Sequence, residues 1–390
     1  MGSRLALDEP DSMHIVDTTV FFSPTSGGVK RYLTAKHAWY AARAPYRHTL
    51  LVPGDREHIE AGGISTLRGT RIPGTFNYRL PLDPQRWTAA LSALEPDLIE
   101  VGDAFHPAWC ASRVARARGI PLVAFFHSNL PELVGRRVGT TIGAGFARYV
   151  RWLYSRFDVV FAPSHFVRDY LHGLGISRVS CQPLGVDVDT FNPAQRTLDV
   201  RRELGLAANT RLLVFAGRFS GEKNLPVLFD AFARLGAPYH LLLIGGGEAR
   251  QFAPNVTAIP YRRDSGELAR WIASCDALVH AGTRETFGLV IVEALACGRP
   301  VVAARAGAVP ELIDESVGQI AAPHDGASMA QAIASLYDRD LDALTVAARA
   351  RALQFSWTRA FQAQLNTYAS LGARVSVPVQ AQRPVPEYRW

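Results

Sequence analysis

Short apolar runs closed by Gly, Pro or Asp alternate with helix-length segments along this chain, and the alternation runs twice with one pause. The first pass predicts strands over His14–Val20, His48–Val52, Asp97–Val101, Pro121–Phe126, Asp158–Ala162 and Arg178–Pro183. Between them it predicts helices over Val29–Ala42, Pro84–Leu94, Pro107–Arg118, around Ile142–Phe157, and over His165–Leu174. The second pass predicts strands over Leu212–Ala216, Tyr239–Ile244, Ala277–His280 and Pro300–Ala304. Its helices are Lys223–Leu235, Gly266–Ser274, Phe287–Cys297, Ala327–Tyr337, Leu341–Ala352 and Trp357–Leu371. Strands that are apolar throughout suit a parallel sheet covered on both faces. Two such series imply an α/β chain of two doubly wound, Rossmann-like domains, which a length of 390 residues accommodates.

The pause at Gly185–Gln195 holds Gly, Asp, Asn and Pro with little periodicity, as a linker does. The expected division is therefore an N-terminal domain over 1–184, a linker over 185–195 and a C-terminal domain over 196–355. A helix over 356–371 returns to the N-terminal domain, and a Pro- and Gln-rich tail follows over 372–390. Ligands of such sheets bind beyond the carboxyl ends of the strands, so a central cleft with the two domains facing each other is the expected site.

Composition narrows the classes further. At 48% hydrophobic and 20% charged residues the chain can build real cores, which excludes disorder as the whole answer. No run of 18 apolar residues exists to form a membrane span. The opening residues carry acids where a signal peptide needs an apolar stretch, so a cytoplasmic protein is expected. Cys110, Cys181, Cys275 and Cys297 sit far apart in apolar surroundings, without the spacing of a zinc site. The net charge of +7 comes with no nucleic-acid-binding signature, and nucleic acid is not an expected partner. The only lysines are Lys30, Lys36 and Lys223, which singles out Lys223 in the second half.

Two loops of the second half carry the chemistry. After the Leu212–Ala216 strand, Gly217, Arg218 and Lys223 precede a helix. Two cations beside a helix N-terminus suit a strongly anionic group such as a diphosphate, although a solvated loop could hold the same charges. The second loop runs from His280 through Glu285, Phe287, Gly288 and Leu289 into a helix bearing Glu293, six residues in and roughly 9 Å along the axis. Free N–H groups point out of that helix start. A Glu within such an apolar helix needs a partner, which ribose hydroxyls or a neighbouring Arg would supply.

The string Glu285-x7-Glu293, enclosing Phe287-Gly288-Leu289, resembles the signature of glycosyltransferase family 4, a retaining family of the GT-B fold. Ser26-Gly27-Gly28-Val29 resembles its glycine loop, Gly185-Val186-Asp187 its inter-domain motif, and Gly217-Arg218 with Lys223-Asn224 its Gly-Arg…Lys-Asn motif, all in the family's order. The resemblance implies that Arg218 and Lys223 hold the diphosphate of a nucleotide sugar. It gives the ribose to Glu293, and the donor sugar and distal phosphate to Glu285 and the N–H groups of Phe287, Gly288 and Leu289. Gly27 and Gly28 would let the backbone approach that phosphate. His127 resembles the active-site His near the reacting carbon, with Ser128-Asn129 in place of the usual following acid.

Asp187-Val188-Asp189 matches a DxD metal motif, yet its place in the linker fits the inter-domain motif better, so no catalytic metal or other cofactor is expected. Two cations and helix dipoles can neutralise a leaving diphosphate instead. Leu133–Phe157 holds Arg136, Arg137, Arg148, Arg151 and Arg156 among aromatics. It reads either as a structural helix with its arginines in water or as a basic aromatic face for an anionic membrane surface. The expected function is retaining transfer of a hexosyl group from a donor of GDP-mannose or UDP-glucose type to a hydroxyl acceptor, a lipid or lipid-linked glycan among the candidates. The protein would then be cytoplasmic and, with such an acceptor, peripheral on the inner face of the membrane. A nucleotide-sugar epimerase of the same fold, or a non-catalytic nucleotide-sugar-binding protein, would share the diphosphate site.

Overall fold

The computed structural model describes residues 12–23, 27–72 and 77–373, except the side chains at 133, 134, 136 and 137. Ser26 of the glycine loop, the arginine side chains at 136 and 137, and all but the start of the expected tail lie outside that description. The chain divides into two compact units. One comprises the described residues up to Pro163, Val167–Gln182 and those from Ala360 onward. The other comprises Ser164–Phe166 and Pro183–Arg359.

The first unit is built on seven parallel strands in the order Ile64–Arg68, Tyr46–Gly54, Met13–Thr18, Leu98–Val101, Leu122–Phe125, Val159–Ala162, Val179–Cys181. Ile15 pairs with His48 on one side and Leu98 on the other, so winding reverses at the Met13–Thr18 strand. Val16, Leu51, Ile99, Ala124 and Val160 pack under Trp87, Val114, Leu153 and Phe157. Ile64–Arg68 escapes the apolar-run criterion because it is an edge strand of mixed character, with Ser65 and Leu67 inward. The long helix expected around Ile142–Phe157 is instead Thr140–Tyr154, preceded by a separate helix Leu130–Val138. Gly139 breaks them at φ +106, and a Cβ on Gly143 would lie 2.5 Å from Gly135 Cα, so bare glycines let the two helices meet.

A buried charge cluster fastens helix Gly28–Ala41 to this sheet. Lys36 Nζ lies 2.9 Å from both Asp17 on the first strand and Glu100 on the Leu98–Val101 strand. It also donates to the Tyr368 hydroxyl at 3.1 Å. Tyr32, one helical turn before Lys36, donates to Glu100 and accepts from Gln364 Nε2, each at 2.7 Å. Tyr368 and Gln364 belong to helix Trp357–Ser370, which thereby completes the first unit from the far end of the chain.

The second unit repeats the plan. Its order is Arg250–Ala253, Val256–Ile259, Tyr239–Ile244, Arg211–Ala216, Ala277–His280, Val301–Ala304, Gly318–Ala321, all parallel except the first pairing. Leu213 pairs with Leu241 and with Ala277, which puts the winding reversal at the Arg211–Ala216 strand. Gly245 ends the neighbouring strand where a Cβ would stand 1.7 Å from the Gly217 carbonyl oxygen, so the chain leaves this sheet edge through glycine. Among the described residues no helix is long and apolar enough to cross a membrane.

Candidate active site

Both functional loops of the second unit leave the carboxyl ends of adjacent strands at the winding reversal, where the fold opens a crevice for ligands. The strand Arg211–Ala216 ends at Gly217-Arg218. Lys223 closes a 3₁₀ turn, Gly221–Lys223, rather than opening the helix as the sequence suggested. The helix starts at Leu225, after Asn224 in the left-handed region at φ +52, a conformation Asn tolerates. Lys223 therefore sits on a turn that aims its ammonium back over the strand ends, and Nζ donates to Glu285 Oε1. Arg218 is half-exposed, with a guanidinium nitrogen 3.9 Å from Glu222 Oε1.

Glu285 lies in the loop after the Ala277–His280 strand. Its backbone is held by the Ala308 N–H, 2.9 Å from the Glu285 carbonyl. Gly307 packs so closely there that a Cβ would be 2.6 Å from the same oxygen. Burial pushes the Glu285 carboxyl upward, but the charge of Lys223, aided by His280 and Arg218, outweighs it and holds the group below the usual carboxylate range. The site thus contains a standing carboxylate bonded to an ammonium.

The third part differs from expectation in detail. Helix Leu289–Ala296 begins two residues later than the sequence suggested, capped by Gly288 at φ +103. Phe287 is buried, edge-on to Phe355 with ring centres 5.8 Å apart. Glu293 is four residues beyond the helix start, about 6 Å along the axis, and buried. The N–H groups at the start of this helix have no intrahelical acceptors by geometry.

In the first unit, Gly27 caps helix Gly28–Ala41. A Cβ on Gly27 would meet no described atom within 4 Å, so packing there does not require glycine. His127 follows the Leu122–Phe125 strand, its ring stacked on Phe125 at 4.4 Å and tilted against Tyr32 at 4.9 Å. Burial pushes its imidazole down to about 3, so it is neutral. Asn129, of the Ser128-Asn129 pair that follows His127, caps helix Leu130–Val138 by accepting the Glu132 N–H at 3.2 Å.

Asp187 is engaged in its own turn. Its carboxylate accepts the N–H groups of Asp189 and Thr190 at 3.1 and 3.0 Å and the Thr190 hydroxyl at 2.6 Å. A Cβ on Gly185 would lie 2.6 Å from the Trp357 backbone nitrogen, so only glycine fits there. Asp340 caps helix Leu341–Ala352. Among the described residues no three His, Cys, Asp or Glu side chains gather as a metal site.

Sequence reasoning missed His280, which places Nε2 3.0 Å from Glu285 Oε1. A polar residue closing an apolar strand run beside a functional loop was the available signal. It also missed Asp103, whose carboxylate ties the ends of two first-unit strands by accepting the Thr19 hydroxyl and the Val20 and Phe105 N–H groups.

Two doubly wound units and a cation–carboxylate cluster at a strand-end crevice define an enzyme class that the comparisons specify. A family model described as Glycosyltransferase Family 4 matches residues 26–190, and one described as Glycosyl transferases group 1 matches residues 210–339. The chain belongs to this family of glycosyltransferases, and its fold is GT-B. One relative is a GDP-mannose-dependent alpha-(1-6)-phosphatidylinositol dimannoside mannosyltransferase of Mycobacterium tuberculosis. It is 31% identical over 373 residues, with 92% of this chain and 97% of the relative covered. A D-inositol 3-phosphate glycosyltransferase of Xylanimonas cellulosilytica is 33% identical over 225 residues, 52% of this chain and 54% of the relative. The fold matches sucrose-phosphate synthase from Thermosynechococcus elongatus with a TM-score of 0.75 at 22% identity, covering 93% and 100% of the two chains. It matches Anabaena HepE, in complex with UDP and glucose, with a TM-score of 0.73 at 23% identity, covering 92% and 100%.

Proposed function

We propose that this glycosyltransferase moves a mannosyl group from GDP-mannose to a phosphatidylinositol-type lipid acceptor, with retained configuration and without a catalytic metal. The observation that carries the substrates is the end-to-end likeness to a relative named for that donor and that acceptor class. The chemistry of the second unit is in keeping with it. Departure of a nucleoside diphosphate needs preorganised positive charge, and Arg218 and Lys223 both follow the end of the Arg211–Ala216 strand and both act on Glu285. An ammonium has three donors, so Lys223 can keep its bond to Glu285 and still offer two N–H groups to the diphosphate.

In this reading Glu285 and the N–H groups of Phe287, Gly288 and Leu289 hold the donor sugar and distal phosphate, and Glu293 holds the ribose. Gly27, Gly28 and His127 are the first unit's own candidates for a part in the reaction. The bond between the anomeric carbon and the diphosphate oxygen breaks first, through an oxocarbenium-like state. The acceptor oxygen then bonds to that carbon on the same face, and its proton passes to the departing phosphate. Two cations supply the charge that a metal ion would otherwise bring.

A lipid acceptor also requires contact with a membrane surface, which makes the protein peripheral on the inner face. Helix Thr140–Tyr154 and the adjoining His106–Arg118 helix support this. Val150, Leu153 and Tyr154 pack inward, while Trp109, Trp152, Arg148, Arg151 and Arg156 are exposed and neither helix holds an acid. Arg156 lies over the Trp152 ring at 3.6 Å, an arrangement suited to the boundary between anionic headgroups and acyl chains.

The test is transfer of labelled mannose or glucose from GDP-mannose and UDP-glucose. The acceptors are vesicles containing phosphatidylinositol mannosides or soluble inositol phosphates, and the product anomer is read by NMR. Mannose in the lipid extract with the donor's anomeric configuration is expected. Transfer from UDP-glucose alone, or only to soluble acceptors, overturns the substrate assignment. Conversion of the donor without any acceptor favours an epimerase.

A further inference from the structure

His280 has no part in the roles above, yet it ends a central strand of the second unit and is almost completely buried. Its two ring nitrogens are both engaged, and their partners fix its protonation. The Gly282 N–H donates to Nδ1 at 2.9 Å. A backbone amide can only donate, so Nδ1 carries no proton, and the proton of the neutral ring lies on Nε2. Nε2–H then points at Glu285 Oε1, 3.0 Å away, the same oxygen that receives Lys223. A doubly protonated ring would set Nδ1–H against the Gly282 N–H, and burial already pushes this imidazole down to about 4.

The terminal torsion of a glutamate is broad, so one partner leaves the carboxylate free to turn. Two donors converging from different elements remove that freedom. Gly282 is fitted to the arrangement as well, since a Cβ there would lie 2.3 Å from His280 Cε1. We infer that His280 is a positioning residue of the donor site: as the Nε2–H tautomer, selected by the Gly282 amide, it orients the Glu285 carboxylate toward the donor sugar. This rests on the proposal that Glu285 contacts that sugar.

The experiment compares His280→Gln, His280→Phe, Gly282→Ala and Glu285→Gln for kcat, donor KM and melting temperature. Gln keeps an N–H near the place of Nε2. Phe keeps the ring, including its edge contact with Phe215 at 6.2 Å, and loses the donor. Misplacing a reacting group by about an ångström can cost on the order of 100-fold in rate, so His280→Phe should lower kcat by about 10–100-fold. His280→Gln should stay within about fivefold of the parent, on the same scale. A ring that only fills space predicts the reverse order, because Phe fills it and a buried amide does not. If Phe equals or exceeds Gln while Glu285→Gln is crippled, the His280 assignment falls alone. If Glu285→Gln keeps normal donor kinetics, the Glu285 reading falls with it. Should His280→Phe fail to fold, Gly282→Ala decides: it displaces the ring, and an unchanged kcat overturns the inference.

Discussion

Replacing Lys36 with Met removes one buried charge and leaves two carboxylates without it. Met has a similar length and volume, so cavity terms are small. What remains is electrostatic: Asp17 and Glu100, each 2.9 Å from the lost ammonium and each 2% exposed, cannot turn to water. Breaking a buried pair from one side costs about 3–5 kcal/mol. The upper half of that range is expected, because two acids are affected, moderated by Tyr32 and Tyr368 on Glu100 and by His48, 3.4 Å from Asp17. In a unit of roughly 200 residues each kcal/mol moves melting by about 2–4 °C, so the fall is about 8–20 °C. The pH dependence has a definite sign. Burial already raises Glu100, and Lys36 is the charge that opposes the rise. In the variant its folded-state pKa climbs further above the unfolded value, so the folded protein takes the proton first. The deficit therefore shrinks as pH falls and grows as pH rises. Scanning calorimetry of the parent, Lys36→Met and Lys36→Met/Glu100→Gln at pH 5.5 and 8 measures both effects, and the double variant should regain part of the loss. Melting of Lys36→Met within about 2 °C of the parent at pH 8, or an equal deficit at both pH values, refutes the reasoning.

Lys223→Ala should lower turnover about 10²–10³-fold, the scale for one preorganised charge-stabilising group, and the parent should stay active in EDTA; near-normal turnover, or loss in EDTA that manganese restores, contradicts this. Glu293→Gln should raise donor KM more than it lowers kcat, and a 2′-deoxyribose donor handled as well as the parent donor would remove the ribose role. His280 is pushed by burial from 6.5 to about 4, so the unfolded chain binds its proton first and stability is lost as pH falls from about 6.5 toward 4. Thermal melts of His280→Gln across that window should therefore be flatter than the parent's, and parallel curves would show that the buried ring is not the cause. Arg148→Gln/Arg151→Gln/Arg156→Gln should lose salt-sensitive sedimentation with anionic vesicles, at about 1 kcal/mol per arginine. If neither protein sediments, or both do equally, the helix is structural only.

The sequence alone carried the two-unit α/β plan, because strands buried on both faces must be apolar throughout, and such runs are visible without tertiary knowledge. It also carried the family motifs, since Gly217-Arg218 with Lys223, and Glu285-x7-Glu293, each lie within one loop and the helix start after it, where spacing is local. Edge strands such as Ile64–Arg68 and Arg250–Ala253 stayed hidden, because a half-covered strand needs no continuous apolar run. Only the folded chain decided which charges meet. Lys223 and Glu285 are 62 residues apart, and they meet because two parallel strands end side by side at a winding reversal. Tyr368 reaches Lys36 across 332 residues, because the last helix closes over the first sheet. Such pairings depend on strand order and on where a turn aims a side chain, and neither leaves a periodic trace in the sequence.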